Sequence, residues 1–303
     1  MTTQVVINAA SGTARRHGPE ALGSLIREAA LAHGQEDVRV HVVPPDALLG
    51  SLRRAANEAE EVWVGGGDGT LRSAAGLLKK RGTQPGGILG VLPLGTMNLL
   101  ARDLNIPLEI DRAVAALSQG TVAAIDLGRI NDRLFLNKSA LGLYPDMVVD
   151  RERRRRLWGL SKWGAMLRSA WRAVRRHRLM QITIDHQGQR REILSPAIVV
   201  AVGAYEFRAG QLFGRPDLQS GELTAYISHE KNWLGSASQL AKLFLGTLDS
   251  DPRLEVIKAE HLRIDFARPK PVANDGEIDM LPGPIDYAVE PQALRVRLPK
   301  LEF

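Results

Sequence analysis

The sequence predicts a two-domain α/β protein, with an N-terminal doubly wound parallel sheet and a C-terminal β-rich sandwich domain. Three observations predict it. Strand-like and helix-like patterns alternate through the first 125 residues, and strand-like segments with few helices fill the remainder. The glycine-rich turns fall where the early strands end, where ligands gather in parallel sheets. The boundary is placed at residue 126, giving domains 1–126 and 127–303, with the last strand free to return to the first domain.

Each element follows from its local pattern. QVVIN is a short strand, residues 19–33 suit a helix, and VRVHVV is a second strand. Residues 46–58 read as a helix, and EVWVG as a third strand running straight into glycine. Residues 70–80 suit a helix, GILGVLPLG a fourth strand, and Asp111 to Leu117 a helix after Pro107. Beyond Asp126, RLFLNKSALGL, MQITID, REIL, AIVVAVGAY, LTAYISH, LRIDF, YAVEP and ALRVRL are strand-like. A basic helix and a helix around residues 233–246 interrupt them.

Composition removes several classes. Hydrophobic residues at 44% and charged residues at 24% are an ordinary globular balance, which excludes a disordered chain, a collagen and a coiled-coil rod. Cysteine is absent, so no disulfide, thiolate metal site or cysteine nucleophile exists. The seven histidines are scattered, with no pair at metal-ligand spacing, which argues against a zinc enzyme. The start, MTTQVVINAASG, lacks the features of a secretory signal, and no apolar run approaches the roughly 18 residues of a spanning helix. The expected location is cytoplasmic, with peripheral association to a membrane.

That association is expected from one segment. Residues 151–178 hold eleven Lys and Arg against the single acid Glu152, more than the chain's whole net charge of +6, so the rest is net acidic. Trp158, Trp163 and Trp171 lie here, and Leu160, Leu167, Trp171 and Val174 recur at helical spacing. Arg168, Arg172 and Arg176 follow an i, i+4 line on another face. Such a helix suits an anionic membrane surface, where arginine meets headgroups and indole sits at the interface. The plainer alternative is a core-packed helix with a solvated basic face. Nucleic acid is not expected, because no reading motif accompanies the patch.

The strongest chemical motif is VWVGGGDGT, residues 62–70. A buried strand ends in Gly65, Gly66 and Gly67, followed by Asp68, Gly69, Thr70 and a helix. Glycines permit positive φ and close backbone approach, so successive N–H groups can face a phosphate at a helix start. Asp68 adds a carboxylate suited to water-mediated contact with magnesium. Two more polar turns share this geography: Asn8-Ala9-Ala10-Ser11-Gly12 after the first strand, and Pro93-Leu94-Gly95-Thr96-Met97-Asn98 after the fourth. An ordinary capped turn would account for either alone. Three of them on one sheet edge favour a nucleotide site. Far downstream, Asn274-Asp275-Gly276-Glu277 is by spacing an Asp-Gly hairpin turn that carries two carboxylates, one of which can act as an acid/base.

GGGDGT, PLGTMNLLARDL, the early NAASG and the late NDGE, in this order, resemble the diacylglycerol kinase catalytic-domain family, which includes bacterial lipid kinases, sphingosine kinases and ceramide kinases. GGDGT alone is shared with NAD kinases and phosphofructokinase-like folds. The resemblance implies ATP in an interdomain cleft and a lipid held by the C-terminal domain. By position, it implies that Asn8, Ser11 and Gly12 lie by the nucleotide and that Gly66, Gly67, Asp68, Gly69 and Thr70 cradle its phosphates. Thr96 and Asn98 line the same site, and Asp68 is linked to magnesium. It also implies that Asp126 is an acidic, magnesium-associated position near the cleft, and that Glu277 is the catalytic acid/base with Asp275 beside it.

The sequence departs from the family pattern at Arg72-Ser73, where Asn-Glu is frequent, at Leu99, where Asp is frequent, and at Val43 or Pro44 in place of threonine. Ser220 stands where a structural-metal aspartate is often found, leaving carbonyls near Asp217 and Glu222. The expected activity is ATP- and magnesium-dependent phosphorylation of the hydroxyl of a membrane lipid such as diacylglycerol. The alternatives are an NAD kinase-like enzyme acting on a soluble nucleotide and a non-catalytic nucleotide-binding membrane adaptor.

Overall fold

The structure is a computed structural model describing residues 2–79, 86–143, 145, 178–208 and 211–300. The chain divides into two compact units, residues 1–127 with 291–303, and residues 128–290. The residues from Pro291 onward group with the first unit, so the second ends at Glu290 and not at the end of the chain.

The first unit contains β1 (Thr3–Asn8), α1 (Gly12–His17), α2 (Pro19–Ala32), β2 (Val38–Val43), α3 (Pro45–Glu58) and β3 (Glu61–Gly66). It continues with α4 (Asp68–Leu78), β4 (Ile88–Pro93), α5 (Leu99–Asp103), α6 (Ile110–Ser118) and most of β5 (Thr121–Ile130). The strands lie in the order β2-β1-β3-β4, all parallel, and the end of the last strand, β18 (Ile285–Leu298), pairs parallel to β4 through Arg295 and Val296. Central strands of such a sheet are covered on both faces and read as unbroken apolar runs. Accordingly every residue of β3 and β4 is buried, whereas β2 at the edge alternates. Helix α2 begins at Pro19, whose missing N–H costs nothing in a first turn, and buries Leu22, Ile26 and Ala30 on one stripe. Two short helices, α1 and α5, occupy segments that the sequence pattern presents only as turns.

The second unit adds β6 (Arg133–Phe135), β7 (Lys138–Gly142), β8 (Met180–His186), β9 (Gln189–Ser195), β10 (Ala197–Val202), β11 (Glu206–Arg208) and β12 (Gln211–Gly214). After these come β13 (Leu223–Ser228), α7 (Trp233–Leu245), β14 (Leu254–Ala259), β15 (His261–Asp265), β16 (Lys270–Asn274) and β17 (Glu277–Leu281). One antiparallel sheet has the order β14-β13-β10-β7-β16-β17. The other runs β9-β8-β15 to the first half of β18. Their facing residues form a single apolar core, with Leu141, Val200, Ala225 and Val272 from the first sheet and Ile182, Ile184, Ile264 and Tyr287 from the second. This is a β-sandwich. Inside it the Tyr287 hydroxyl hydrogen-bonds Ser139 Oγ at 2.9 Å, and burial pushes the phenol well above its ordinary pKa.

The strands depart from the sequence pattern in several places, since β5, β14, β16 and β17 lie where it singles out no strand, and two of its segments are divided differently. RLFLNKSALGL is interrupted at Leu136 and Asn137, whose N–H groups turn to a carboxylate described below. YAVEP and ALRVRL, conversely, belong to one 14-residue strand that passes through a left-handed Gln292. The buried side chains described in helix α7 are the polar Ser236 and Gln239, with Leu240 and Leu243 half-buried and Leu234 and Leu245 exposed. Its Gln239 Oε1 accepts from Ser228 Oγ of β13 at 2.6 Å. The basic helix expected over residues 151–178 lies outside the described residues, apart from Arg178.

Candidate active site

In the first unit the carboxyl ends of β1, β3 and β4 bring the three polar turns together. Asn8 ends β1 and donates through Nδ2 to Thr70 Oγ1 in the first turn of α4 at 3.2 Å, and its Oδ1 accepts from Ala10 N at 2.9 Å. Ser11 Oγ caps α1 by accepting from Ala14 N at 3.3 Å. Thr13 N donates to Leu94 O at 3.2 Å, tying α1 to the turn after β4, and a Cβ on Gly12 would stand 3.9 Å from Thr96 Oγ1.

The glycines here serve close approach and not left-handed backbone, since Gly66, Gly67, Gly69 and Gly95 are absent from the positive-φ residues. A Cβ on Gly95 would lie 2.6 Å from Gly67 Cα and 2.8 Å from Asn98 Oδ1. One on Gly66 would meet Thr70 Cβ at 2.6 Å. The left-handed residue of these turns is Asn98, at φ 50. Its Oδ1 accepts from Gly95 N at 2.9 Å and its Nδ2 donates to Pro93 O at 3.2 Å, so one buried side chain shapes the whole PLGTMN turn.

Asp68 opens α4 and reaches to α5, where its Oδ1 accepts from Leu99 N at 3.0 Å and Leu100 N at 3.4 Å. The carboxylate thus caps a second helix and fixes the GGGDGT turn against PLGTMN. Gly67 precedes α4 without a side-chain cap. The first N–H groups of α4 have no acceptor within the helix, which suits them to an anion.

Asp126 is buried on β5, and its Oδ1 accepts from Gln292 N at 2.8 Å, pinning β5 to the bend of β18. In the turn before β13 that carries Ser220, Asp217 Oδ1 accepts from Gln219 N at 2.8 Å. The Glu222 carboxylate pairs with Lys258 Nζ at 2.7 Å. Among the described residues no group of three His, Asp or Glu side chains is arranged to hold a metal.

In the second unit Asp275 and Gly276 form the two-residue link between β16 and β17, both with positive φ (48 and 88), as a hairpin turn of this kind demands. The Asp275 side chain is buried. Its Oδ2 accepts from Leu136 N at 2.8 Å, and its Oδ1 from Asn137 N at 2.9 Å and Lys138 N at 3.2 Å. Asp275 N returns to Lys138 O at 2.9 Å. Asp275 is thus a structural anchor, and Glu277, two residues on, is exposed at the head of β17.

Spacing does not single out the residues around this anchor, namely Leu136, Asn137 and Lys138, whose amides grip it, and Tyr205, whose hydroxyl donates to Asn137. The available signal was a lysine inside the otherwise apolar FLNKSALGL. Lys138 is 2% exposed, with Nζ 5.9 Å from the centroid of the Tyr205 ring.

The class of protein is thus an α/β unit with glycine turns at its strand ends in one chain with an antiparallel sandwich unit. Residues 2–130 match the model of the diacylglycerol kinase catalytic domain, and residues 148–298 match the YegS C-terminal NAD kinase beta sandwich-like domain. The chain belongs to the diacylglycerol kinase catalytic-domain family. It is 36% identical over 138 residues to a Yersinia enterocolitica protein named "Probable lipid kinase YegS-like", covering 44% of this chain and 46% of that one. It is 40% identical over 134 residues to a protein of the same name from Pseudomonas aeruginosa, covering 42% of each. A Staphylococcus carnosus diacylglycerol kinase is 32% identical over 105 residues, covering 35% of this chain and 34% of that one. The chain therefore spans less than half the length of the curated relatives it matches. In fold, it is similar to the crystal structure of a diacylglycerol kinase from Bacillus anthracis, with a TM-score of 0.75 at 20% identity, covering 99% of this chain and 97% of that one.

Proposed function

We propose that this protein is an ATP- and magnesium-dependent lipid kinase that phosphorylates the hydroxyl of a membrane lipid such as diacylglycerol. The observation that carries the reading is the joining of NAASG, GGGDGT and PLGTMN through Asn8–Thr70, Gly67–Gly95 and Asp68–Leu99. This arrangement fits a nucleotide phosphate chain. The backbone at Gly67 and Gly95 is too close for a Cβ on Gly95, and α4 presents its N–H groups beside it. Magnesium fits as an ion held chiefly by phosphates and water, because among the described residues no three acidic or histidine side chains gather to hold it and one Asp68 oxygen already accepts from two N–H groups. So held, it would supply charge neutralisation on the transferring group.

This chain's residues do the rest. The N–H groups at the start of α4 orient the phosphates, and Asp68 keeps the two turns in register. Glu277 accepts the proton of the attacking lipid hydroxyl, and the anchored Asp275 fixes where the turn presents it. A lipid acceptor also calls for a membrane. Among the described residues no helix is long and apolar enough to cross one, and we assign docking on an anionic leaflet to residues 151–178, with the protein peripheral on the cytoplasmic face.

The test is transfer of labelled phosphate from ATP into a total lipid extract, with and without magnesium, by wild type and Glu277→Ala. A magnesium-dependent lipid product, lost by about 100-fold or more in the variant, is expected. Label in a soluble dinucleotide and none in lipid would replace this reading with an NAD kinase-like one. ATP binding without any transfer would leave a nucleotide-binding adaptor.

A further inference from the structure

Glu277 lies on β17, which among the described residues ends the order of its sheet and pairs with β16. Beside that ladder and the Arg133–Asp279 ion pair further along the strand, the Asp275–Gly276 turn leads directly into Glu277, so what fixes the turn helps to fix Glu277. The Asp275 carboxylate is gripped by the N–H groups of Leu136, Asn137 and Lys138, in the non-strand link before β7 and at its start. That link has no ladder of its own to hold it. It is held instead at Asn137, whose carbonyl accepts from Val202 N at 3.1 Å and whose Oδ1 accepts from the Tyr205 hydroxyl at 2.6 Å.

Tyr205 is well placed to act as a strut. It is buried, its N–H donates to the Tyr226 hydroxyl of β13 at 2.7 Å, and its ring stacks on Tyr226 with centroids 5.8 Å apart. The same ring lies near the buried Lys138 ammonium, next in sequence to Asn137, with Nζ 5.9 Å from its centroid. A rigid phenol therefore ties β13 across β10 to the amides that grip Asp275.

We propose that Tyr205 is a positioning residue for the Asp275–Gly276–Glu277 turn, acting through Asn137. This rests on the lipid-kinase reading for its kinetic consequence, though not for its structural one.

The test uses the full chain. Tyr205→Phe removes only the hydroxyl and keeps the ring against Lys138 and Tyr226. It is expected to lower kcat about tenfold with KM for ATP within about twofold, the loss of one buried hydrogen bond. On a Glu277→Gln background the same change is expected to alter the residual rate by less than about twofold, because a strut for an absent carboxylate has nothing to position. Hydrogen exchange at the Leu136, Asn137, Lys138 and Asp275 amides should quicken about tenfold in Tyr205→Phe, with Ile182 and Ile184 in the opposite sheet unchanged. An unchanged kcat, or an equal tenfold loss on the Glu277→Gln background, overturns the proposal. If wild type phosphorylates no lipid, the lipid-kinase reading fails by itself, and the exchange measurement still decides: unaltered protection at these four amides sinks the strut.

Discussion

Asp68 does two things that can be separated by one atom. As an acceptor, it holds Leu99 N and Leu100 N, and as a charge it sits at the start of α4 beside the glycine turns. Asparagine keeps an oxygen for those amides and loses the charge; alanine loses both. Asp68→Asn is expected to keep stability within about 1 kcal/mol of wild type while lowering kcat about 100-fold. Asp68→Ala should show the same kinetic loss with a further drop of about 1–3 kcal/mol, because the amides lose their acceptor. Urea unfolding alongside steady-state kinetics checks both. Gly95 makes a steric version of the point. Gly95→Ala drives a methyl group to within 2.6 Å of the Gly67 backbone, where no flexible side chain can yield. We expect destabilisation of about 1–3 kcal/mol and loss of ATP binding by calorimetry. The glycines of this site were legible in the sequence, and so was the DG hairpin. The reason for the glycines was not. The sequence suggests positive φ, yet the structure uses bare Cα atoms to let two turns touch, and the left-handed position falls to Asn98. Nor could spacing say that Asp275 would reach back 137 to 139 residues to three amides, since a carboxylate in an Asp-Gly turn looks the same locally whether it is solvated or anchored.

Elements repeat the contrast between local and distant causes. The apolar runs of β1, β3 and β4 and the stripe of α2 follow from periodicity, and the structure has them within a residue or two. Helix α7 is different, because its pattern suits a helix but does not tell which side faces in. Its buried Ser236 and Gln239 are polar, and one of its ties is Lys242 Nζ to Asp251 at 2.7 Å, with the aspartate 3% exposed at its side chain. Burial alone would raise the Asp251 carboxyl above its ordinary 3.8, but Lys242, the Arg253 amide and Gln239 outweigh it and hold it below. A carboxyl lowered in the folded state adds stability above its unfolded pKa, and that stability drains away as pH falls through the folded one. Wild type should therefore lose urea resistance as pH drops below about 4. In Lys242→Met the midpoint should be lower at pH 7, and its further loss between pH 5 and pH 2.5 should be smaller. A variant that matches the wild-type acid slope would show that this ion pair contributes nothing to it.

At the scale of the whole chain, the second unit is an insertion. The first unit is left after Leu127 and rejoined at Pro291, so β5 and β18 are the two strands by which the chain departs and returns. Asp126 Oδ1 bonded to Gln292 N at 2.8 Å places those two crossing points side by side. The returning tail completes the first unit. Arg295 and Val296 pair with Ile88 and Leu89 of β4, while the Arg297 guanidinium pairs with the buried Glu61, which also accepts from Trp63 Nε1 at 2.7 Å. Without the tail β4 would lose a neighbouring strand, and Glu61 would keep a buried charge without its cation, a loss typically worth about 3–5 kcal/mol. Residues 1–127 alone are accordingly expected to aggregate or remain unfolded. The same residues joined to 291–303 by a short glycine-rich linker should fold, since the ends to be joined already lie together. Near-ultraviolet circular dichroism from Trp63, fully buried on β3, reports the outcome in both proteins. A folded, monomeric 1–127 would show that the tail is dispensable and that Arg297 answers a charge the unit can tolerate. A linked protein that fails to fold would mean the second unit does more than interrupt the first.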